Sequence, residues 1–190
     1  MATHFSFLET ERLWIRRFRR SDIEPFLAYR SAPDVIRFEE WTDVSRDEVR
    51  FFVNGLRLAE PGVPGQTFQF AVEHKHDAGL IGDMALSVKA DNPCVAEIGY
   101  TLAPAYQRQG YGYEMVSALL DHAFSTLAMH RVYARVLREN AASINLLERL
   151  RFRCEGALVE QIWFNDAWRD QLIFALLARE WGRARHPLPR

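Results

Sequence analysis

The sequence predicts an α+β fold built on a mixed, mostly antiparallel sheet of about seven strands. Three observations point there. First, residues 67–102 read as three consecutive strands. "TFQFAVEH" alternates Phe68, Phe70 and Val72 with polar neighbours, "GLIGDMALSV" and "CVAEIGYTL" follow, and the turn "KADNP" between these two has hairpin chemistry. Second, the period then changes. Val116, Leu119, Leu120, Ala123 and Leu127 recur at helical spacing, with Glu114, Ser117, Asp121 and Ser125 on the other face. Third, the chain closes on a hairpin, "FRCEGALVEQIWF" and "RDQLIFALLA" about the turn "NDAW". A strand, a helix and a further strand at the centre make the sheet parallel only around that helix.

The remaining elements follow in order. "ETERLWIRRF" alternates as one first strand. "SDIEPFLAYR" has helical apolar spacing and opens on Ser21 as a cap. "APDVIRFEEW" is a short helix with Pro33 near its start. "SRDEVRFFVNGLRLAE" is a longer one, with Val49, Phe52, Val53 and Leu56 on one face and Asp47 and Glu48 in the first turn; "PGVPGQ" stops it. After the central helix, "RVYARVL" reads as a strand and "NAASINLLERL" as a short helix. Residues 1–182 are expected to form one domain, and residues 183–190, with "RHPLPR", a loose tail.

The bulk numbers exclude several classes. The 190 residues suffice for one sizeable core, and 48% hydrophobic with 26% charged residues is ordinary for a globular protein. A net charge of −1 argues against a nucleic-acid or anionic-membrane partner. No apolar run approaches the roughly 20 residues that cross a bilayer, and "MATHFSFLETERLW" has no signal-peptide pattern. Cys94 and Cys154 lack paired spacing, so free thiols and a cytoplasmic location are expected.

The most informative stretch is "YQRQGYG", residues 106–112, just ahead of the central helix. A helix N-terminus has about four unpaired N–H groups and about half a positive charge, which suits a pyrophosphate. Gly110 and Gly112 let the backbone approach closely, and Gln107, Arg108 and Gln109 can cover the phosphates. The stretch is neither a Rossmann fingerprint, since position 115 is Met, nor a P-loop, since no Gly-Lys-Ser/Thr follows.

"AEIGYTLAPAYQRQGYGYEMVSALLDHAF" followed by "RVYARVLRENAASINLLERLRF" resembles the GCN5-related N-acetyltransferases (GNAT). The first piece is similar to their acetyl-CoA motif, Gln/Arg-x-x-Gly-x-Gly/Ala, and the second to their Asn-x-x-Ser/Ala helix, here Asn140 and Ser143. "ETERLWIRRF", "EIGYTL" and "FNDAWRDQLIFALLAREW" resemble the RimJ/RimL-like ribosomal-protein branch. The resemblance implies the GNAT fold, with helices on both faces of the sheet and acetyl-CoA as co-substrate. It implies that strands 94–102 and 131–138 diverge so that the pantetheine arm inserts between them, pairing with main-chain groups at Tyr100, Thr101 and Leu102. Residues 107–113, including Tyr111 and Tyr113, would hold the pyrophosphate, and Asn140 the pantetheine amides.

Direct acetyl transfer needs a neutral amine, a polarised carbonyl and a stabilised thiolate, but no enzyme nucleophile. Glu97 precedes "IGYTL" where several acetyltransferases of this superfamily place a catalytic glutamate, and it shares a strand face with Val95, Gly99 and Thr101, so the resemblance implies it as the general base. Ser143 lies one turn after Asn140 on the helix that in the family runs beside the thioester, and the resemblance implies that it supports the thiolate. Many relatives carry a tyrosine acid seven residues after the asparagine; here the position is Leu147, and the usual Gly-Phe is Arg151-Phe152. Glu160 is a reserve acid or base, and Trp41 a candidate wall of the acceptor cleft. His74 and His76 in "HKHD" lack a third ligand, so no metal is expected. Five arginines in "ERLWIRRFRR" are either an exposed strand face or a contact for an acidic partner. The expected activity is N-acetylation of a primary amine. A protein N-terminus is the favoured acceptor, ahead of an antibiotic or polyamine, and a non-catalytic acyl-CoA-binding module is the alternative. A homodimer is neither dictated nor excluded.

Overall fold

The structure, a computed structural model, describes residues 5–39, 45–56, 59–77 and 79–185. Where one first strand was expected there are two, β1 Phe7–Glu9 and β2 Leu13–Arg16, paired as a hairpin. The cause is local. The Thr10 N–H donates to the Leu13 carbonyl at 3.1 Å, and the Leu13 N–H donates to Thr10 Oγ1 at 3.0 Å, which closes a tight turn. Glu114 holds that turn from the central helix, accepting from Thr10 Oγ1 at 2.6 Å and from the Arg12 N–H at 2.8 Å.

Helix α1, Ile23–Arg30, begins after a 3-10 turn at Arg20–Asp22, and Ser21 is not its cap. Asp22 orders the entry instead, accepting from the Arg19 N–H at 2.7 Å and pairing with the buried Arg16. Short helix α2, Pro33–Ile36, has Pro33 in its first turn as expected. Helix α3, Arg46–Gly55, starts on a reciprocal capping box between Ser45 and Glu48. It ends at Gly55, short of the expected Glu60.

The meander is β3 Thr67–His74, β4 Gly79–Val88 and β5 Val95–Leu102. Helix α4, Tyr111–Asp121, continues into a π turn at His122–Thr126. Strand β6 Arg131–Leu137, helix α5 Ala141–Arg149 and the hairpin β7 Arg153–Phe164 with β8 Ala167–Leu177 follow. A last helix, α6 Ala178–Arg185, runs across the expected domain boundary at 182. Its Trp181 is buried and donates from Nε1 to Asp121 at 2.8 Å.

The sheet has eight strands among the described residues, one more than expected, in the order β1-β2-β3-β4-β5-β6-β8-β7. Every pairing is antiparallel except β5 with β6, which is parallel and covers only Val95–Glu97 against Arg131–Tyr133. Beyond Glu97 the two strands part. β6 stays paired with β8 along its whole length, so the sheet is split on one side of β6 alone.

Alternation along the strands feeds two cores. Phe68, Phe70, Ile98 and Val132 pack under Met115, Leu119 and Leu120 of α4. Ala71 and Leu80 pack with Phe26 of α1 and Val49 and Val53 of α3. Helices therefore cover both faces of the sheet.

Candidate active site

A cavity of about 570 Å³ occupies the split between β5 and β6. Ser143 and Asn140 line it from the start of α5, and Glu97–Thr101 from β5. Glu39, Arg30 and Asp83 line it from the side of α1 and β4.

At one end of β5 the chain turns through Pro104–Tyr106 into the expected anion loop. Arg108 and Gly110 take left-handed conformations, φ 59° and 86°. No side chain caps α4 at Gly110, which leaves its first-turn N–H groups for a ligand. Gly112 acts through packing. A β-carbon there would lie 3.3 Å from Leu146, so the glycine sets how closely α4 approaches α5. The two glutamines fold back to brace the loop, Gln107 Nε2 donating to the Leu102 carbonyl at 2.9 Å and Gln109 Nε2 to the Ala105 carbonyl at 2.7 Å. Arg12 donates to the Gln109 carbonyl at 3.0 Å and lies over the Tyr111 ring. The Tyr111 hydroxyl is 3.0 Å from His74 Nε2, and Tyr106 donates to Asp77. His74 thus anchors the loop, and no group of three or more metal-ligating side chains exists among the described residues. Tyr113, partly exposed, carries the Arg149 guanidinium on its ring.

On the α5 side, Asn140 Oδ1 accepts from the Ser143 N–H at 3.1 Å, so Asn140 caps the helix while lining the cavity. The Ser143 hydroxyl meets the Tyr100 phenol at 2.8 Å. Burial pushes the Tyr100 phenol up, against the hydrogen bond with Ser143. Leu147 belongs to the core and is fully buried.

Glu97 lines the cavity, but both its oxygens are engaged. Arg135 Nε donates to Oε1 at 2.8 Å, Arg135 Nη2 to Oε2 at 3.2 Å, and the Tyr133 phenol to Oε2 at 2.9 Å. Burial, then this bond to Glu97, push the Tyr133 phenol up to about 12. A carboxylate that already holds a guanidinium fork and a phenol has few lone pairs left for an amine proton.

A second acidic group lies opposite. Asp83, on β4 with no exposed surface, accepts from Tyr29 at 2.5 Å, from Arg30 at 2.6 Å and from Gln69. Arg30 also donates to Glu39, and Thr101 Oγ1 donates to the other Glu39 oxygen. Burial raises the Glu39 carboxyl above the ordinary range; Arg30 and Thr101 only partly offset it. These residues span positions 29 to 101 and form no local motif. Asp83 inside the apolar "GLIGDMALSV" is the one sequence signal that could have flagged them.

Glu160 does not join the site. It sits in a bulge between Leu158 and Ile162 with φ 47°, exposed, its N–H donating to Asp170, and it does not line the cavity. The bulge turns the strand at that point and carries the side chain outward. Trp41 lies outside the described residues. Of the five arginines near the start, Arg12, Arg16, Arg17 and Arg19 pair with Glu114, Asp22, Glu60 and Glu73. They therefore do not form a free basic face. Cys94 and Cys154 are exposed free thiols.

Residues 12–153 match the family model described as acetyltransferase (GNAT) domain. The chain belongs to the GNAT acetyltransferase family. It is 33% identical over 180 residues to the uncharacterized N-acetyltransferase p20 of Bacillus licheniformis, covering 92% of this chain and 98% of that protein. It is 26% identical to the [ribosomal protein uS5]-alanine N-acetyltransferase of Escherichia coli, over 94% of both. Mycobacterium smegmatis RimJ, solved in complex with CoA-disulfide, superposes with a TM-score of 0.77 at 26% identity, covering 94% of this chain and 84% of that one. This GNAT protein is accordingly an N-acetyltransferase, and its family uses acetyl-CoA. No helix among the described residues is long and apolar enough to cross a membrane.

Proposed function

We propose that this GNAT enzyme transfers an acetyl group from acetyl-CoA directly to a primary amine, with a protein N-terminal amine as the favoured acceptor. The observation that carries this reading is the split between β5 and β6, with a serine hydroxyl on one wall and carboxylates on the other. The co-substrate fits what the chain offers it: an uncapped helix start behind a left-handed glycine, a β5 edge that leaves β6 beyond Glu97, and a capping asparagine beside the gap.

Acetyl-CoA supplies the activated carbonyl. Residues 107–113 bind the pyrophosphate through backbone donors, with Arg108 adding charge. The main chain at Tyr100–Leu102 and the Asn140 amide hold the arm. On the acceptor side, Glu39 takes the proton from the amine nitrogen as its lone pair forms the C–N bond. Its raised carboxyl sits nearer the working pH than an ordinary glutamate, which suits a base. Ser143 donates to the sulfur as the C–S bond breaks. Glu97, tied to Arg135, keeps that guanidinium neutralised at the cavity wall; the base role expected of it passes to Glu39. The RimJ-like resemblance of the chain and its relation to the uS5-alanine acetyltransferase support the protein acceptor.

Turnover of acetyl-CoA against alanine- and serine-starting peptides, spermidine and an aminoglycoside tests the reading. Peptide turnover well above the rest is expected. A preference for spermidine overturns the acceptor, and CoA binding without turnover of any amine restores the binding-module alternative.

A further inference from the structure

Among the described residues the Ser143 hydroxyl has one side-chain partner, the Tyr100 phenol at 2.8 Å, and the phenol in turn reaches only Ser143, whose carbonyl lies at 3.4 Å. The polarity of this pair matters. A phenol is the stronger donor and an aliphatic hydroxyl the stronger acceptor, so the favoured arrangement has Tyr100 donating to Ser143 Oγ. The serine proton is then free to point into the cavity that both residues line. Accepting a hydrogen bond also polarises the serine O–H and makes it a better donor. Burial keeps the Tyr100 phenol protonated, so the donor persists across the pH range in which an amine is acetylated. The Asn140 cap fixes the Ser143 backbone from the other direction.

We propose that Tyr100 is a positioning residue: its phenol aims the Ser143 hydroxyl at the departing sulfur and strengthens it as a donor. The proposal rests on the assignment of Ser143 to the thiolate. As the C–S bond breaks, the electron pair goes to sulfur and Ser143 meets it with a hydrogen bond. Tyr100 shortens its own bond to Ser143 as the serine oxygen gains charge, and no proton leaves the phenol. Tyr100 and Ser143 come from different elements, β5 and α5, so the pair exists only when the strand and helix flanking the gap are in register.

The test is a double-mutant cycle on Tyr100→Phe and Ser143→Ala, read as kcat, KM for acetyl-CoA and CoA affinity by calorimetry. Phenylalanine keeps the ring, so the fold is retained, which thermal unfolding verifies. Tyr100→Phe should lower kcat about ten-fold with CoA affinity within about two-fold, because the bond matters most in the transition state. The double variant should be no slower than Ser143→Ala alone, as expected for residues acting through one group. If Ser143→Ala loses turnover while Tyr100→Phe does not, the Tyr100 proposal fails and the Ser143 assignment stands. Losses that multiply give Tyr100 a role independent of Ser143 and overturn the proposal. So does weakened CoA binding at unchanged kcat, which makes the phenol a wall for the arm. Full activity in Ser143→Ala removes the Ser143 assignment and the proposal with it.

Discussion

Glu97 shares its oxygens between a guanidinium and a phenol, whereas Glu39 is held by Arg30 and one threonine hydroxyl in a buried setting that raises its carboxyl. The two glutamates therefore differ in how readily they accept a proton from an amine. As the base, Glu39 must be ionised, and a raised carboxyl ionises only above the ordinary glutamate range. The rate should rise with pH through that shifted value. In Glu39→Gln this limb should vanish and turnover fall about 10²-fold, the scale of losing a general base. Two acceptors of different amine basicity separate the terms: a limb that belongs to the enzyme stays in place, and one that moves with the acceptor refutes Glu39. Glu97→Gln should cost less, because its amide carbonyl can still accept from Tyr133 and Arg135 Nη2, with only the Arg135 Nε bond lost. A loss larger than that of Glu39→Gln returns the base role to Glu97.

At the scale of elements, two glycines set the geometry of the segments proposed to hold acetyl-CoA. Gly110 holds φ 86° at the start of α4, a conformation a β-branched residue avoids. Gly110→Val should weaken CoA binding at least ten-fold, about 1.4 kcal/mol; calorimetry on a folded variant with unchanged affinity would remove the pyrophosphate assignment. Gly82 on β4 faces β5 so closely that a β-carbon would lie 2.4 Å from the Thr101 carbonyl oxygen. Gly82→Ala must push β5 toward the gap. It should destabilise by about 1–3 kcal/mol, the usual scale of overpacking, and loosen CoA binding as well. The edge strand β7 is tied down by charge. Arg131 of β6, first, and then Arg153 hold the Glu155 carboxyl at about 2, and Arg153 also pairs with Glu180 of α6. Because this folded value is depressed, its stabilisation is present above the ordinary carboxylate range and lost as pH falls toward 2. The Tm difference between wild type and Glu155→Gln should be largest near neutral pH and close to zero near that folded value. A difference that does not depend on pH refutes the linkage.

Over the whole molecule, the Asp83 network joins layers that otherwise meet through apolar contacts. Tyr29 and Arg30 belong to α1, Gln69 to β3, Asp83 to β4 and Thr101 to β5, with Glu39 on the loop after α2. The network docks the helical layer of α1–α3 on the sheet and lines one wall of the cavity with the same residues, Tyr29 excepted. Asp83→Ala removes the shared acceptor of Tyr29, Gln69 and one Arg30 nitrogen, leaving Glu39 as the guanidinium's remaining carboxylate, and should cost about 3–5 kcal/mol. Denaturant midpoints measure this directly, and a shift below about 1 kcal/mol makes the network dispensable for folding.

Features that are local along the chain were legible without coordinates. The meander, α4, β6, α5 and the closing hairpin follow from periodicity and turn residues, and β4 and β6 coincide with their expected segments. The family follows from motif order, because the anion loop and the asparagine helix are short contiguous stretches. The first strand became a hairpin because Glu114, about a hundred residues on, satisfies the turn at Thr10 and Arg12. Helix α6 escaped notice because its amphipathic pattern is short and follows β8 without a break. Which groups hold each carboxylate depends on tertiary contacts alone, since Arg135 reaches Glu97 and Arg30 reaches Glu39 across separate elements. Side-chain environment is set by what the fold brings within a few ångströms, and separation along the chain carries no record of that.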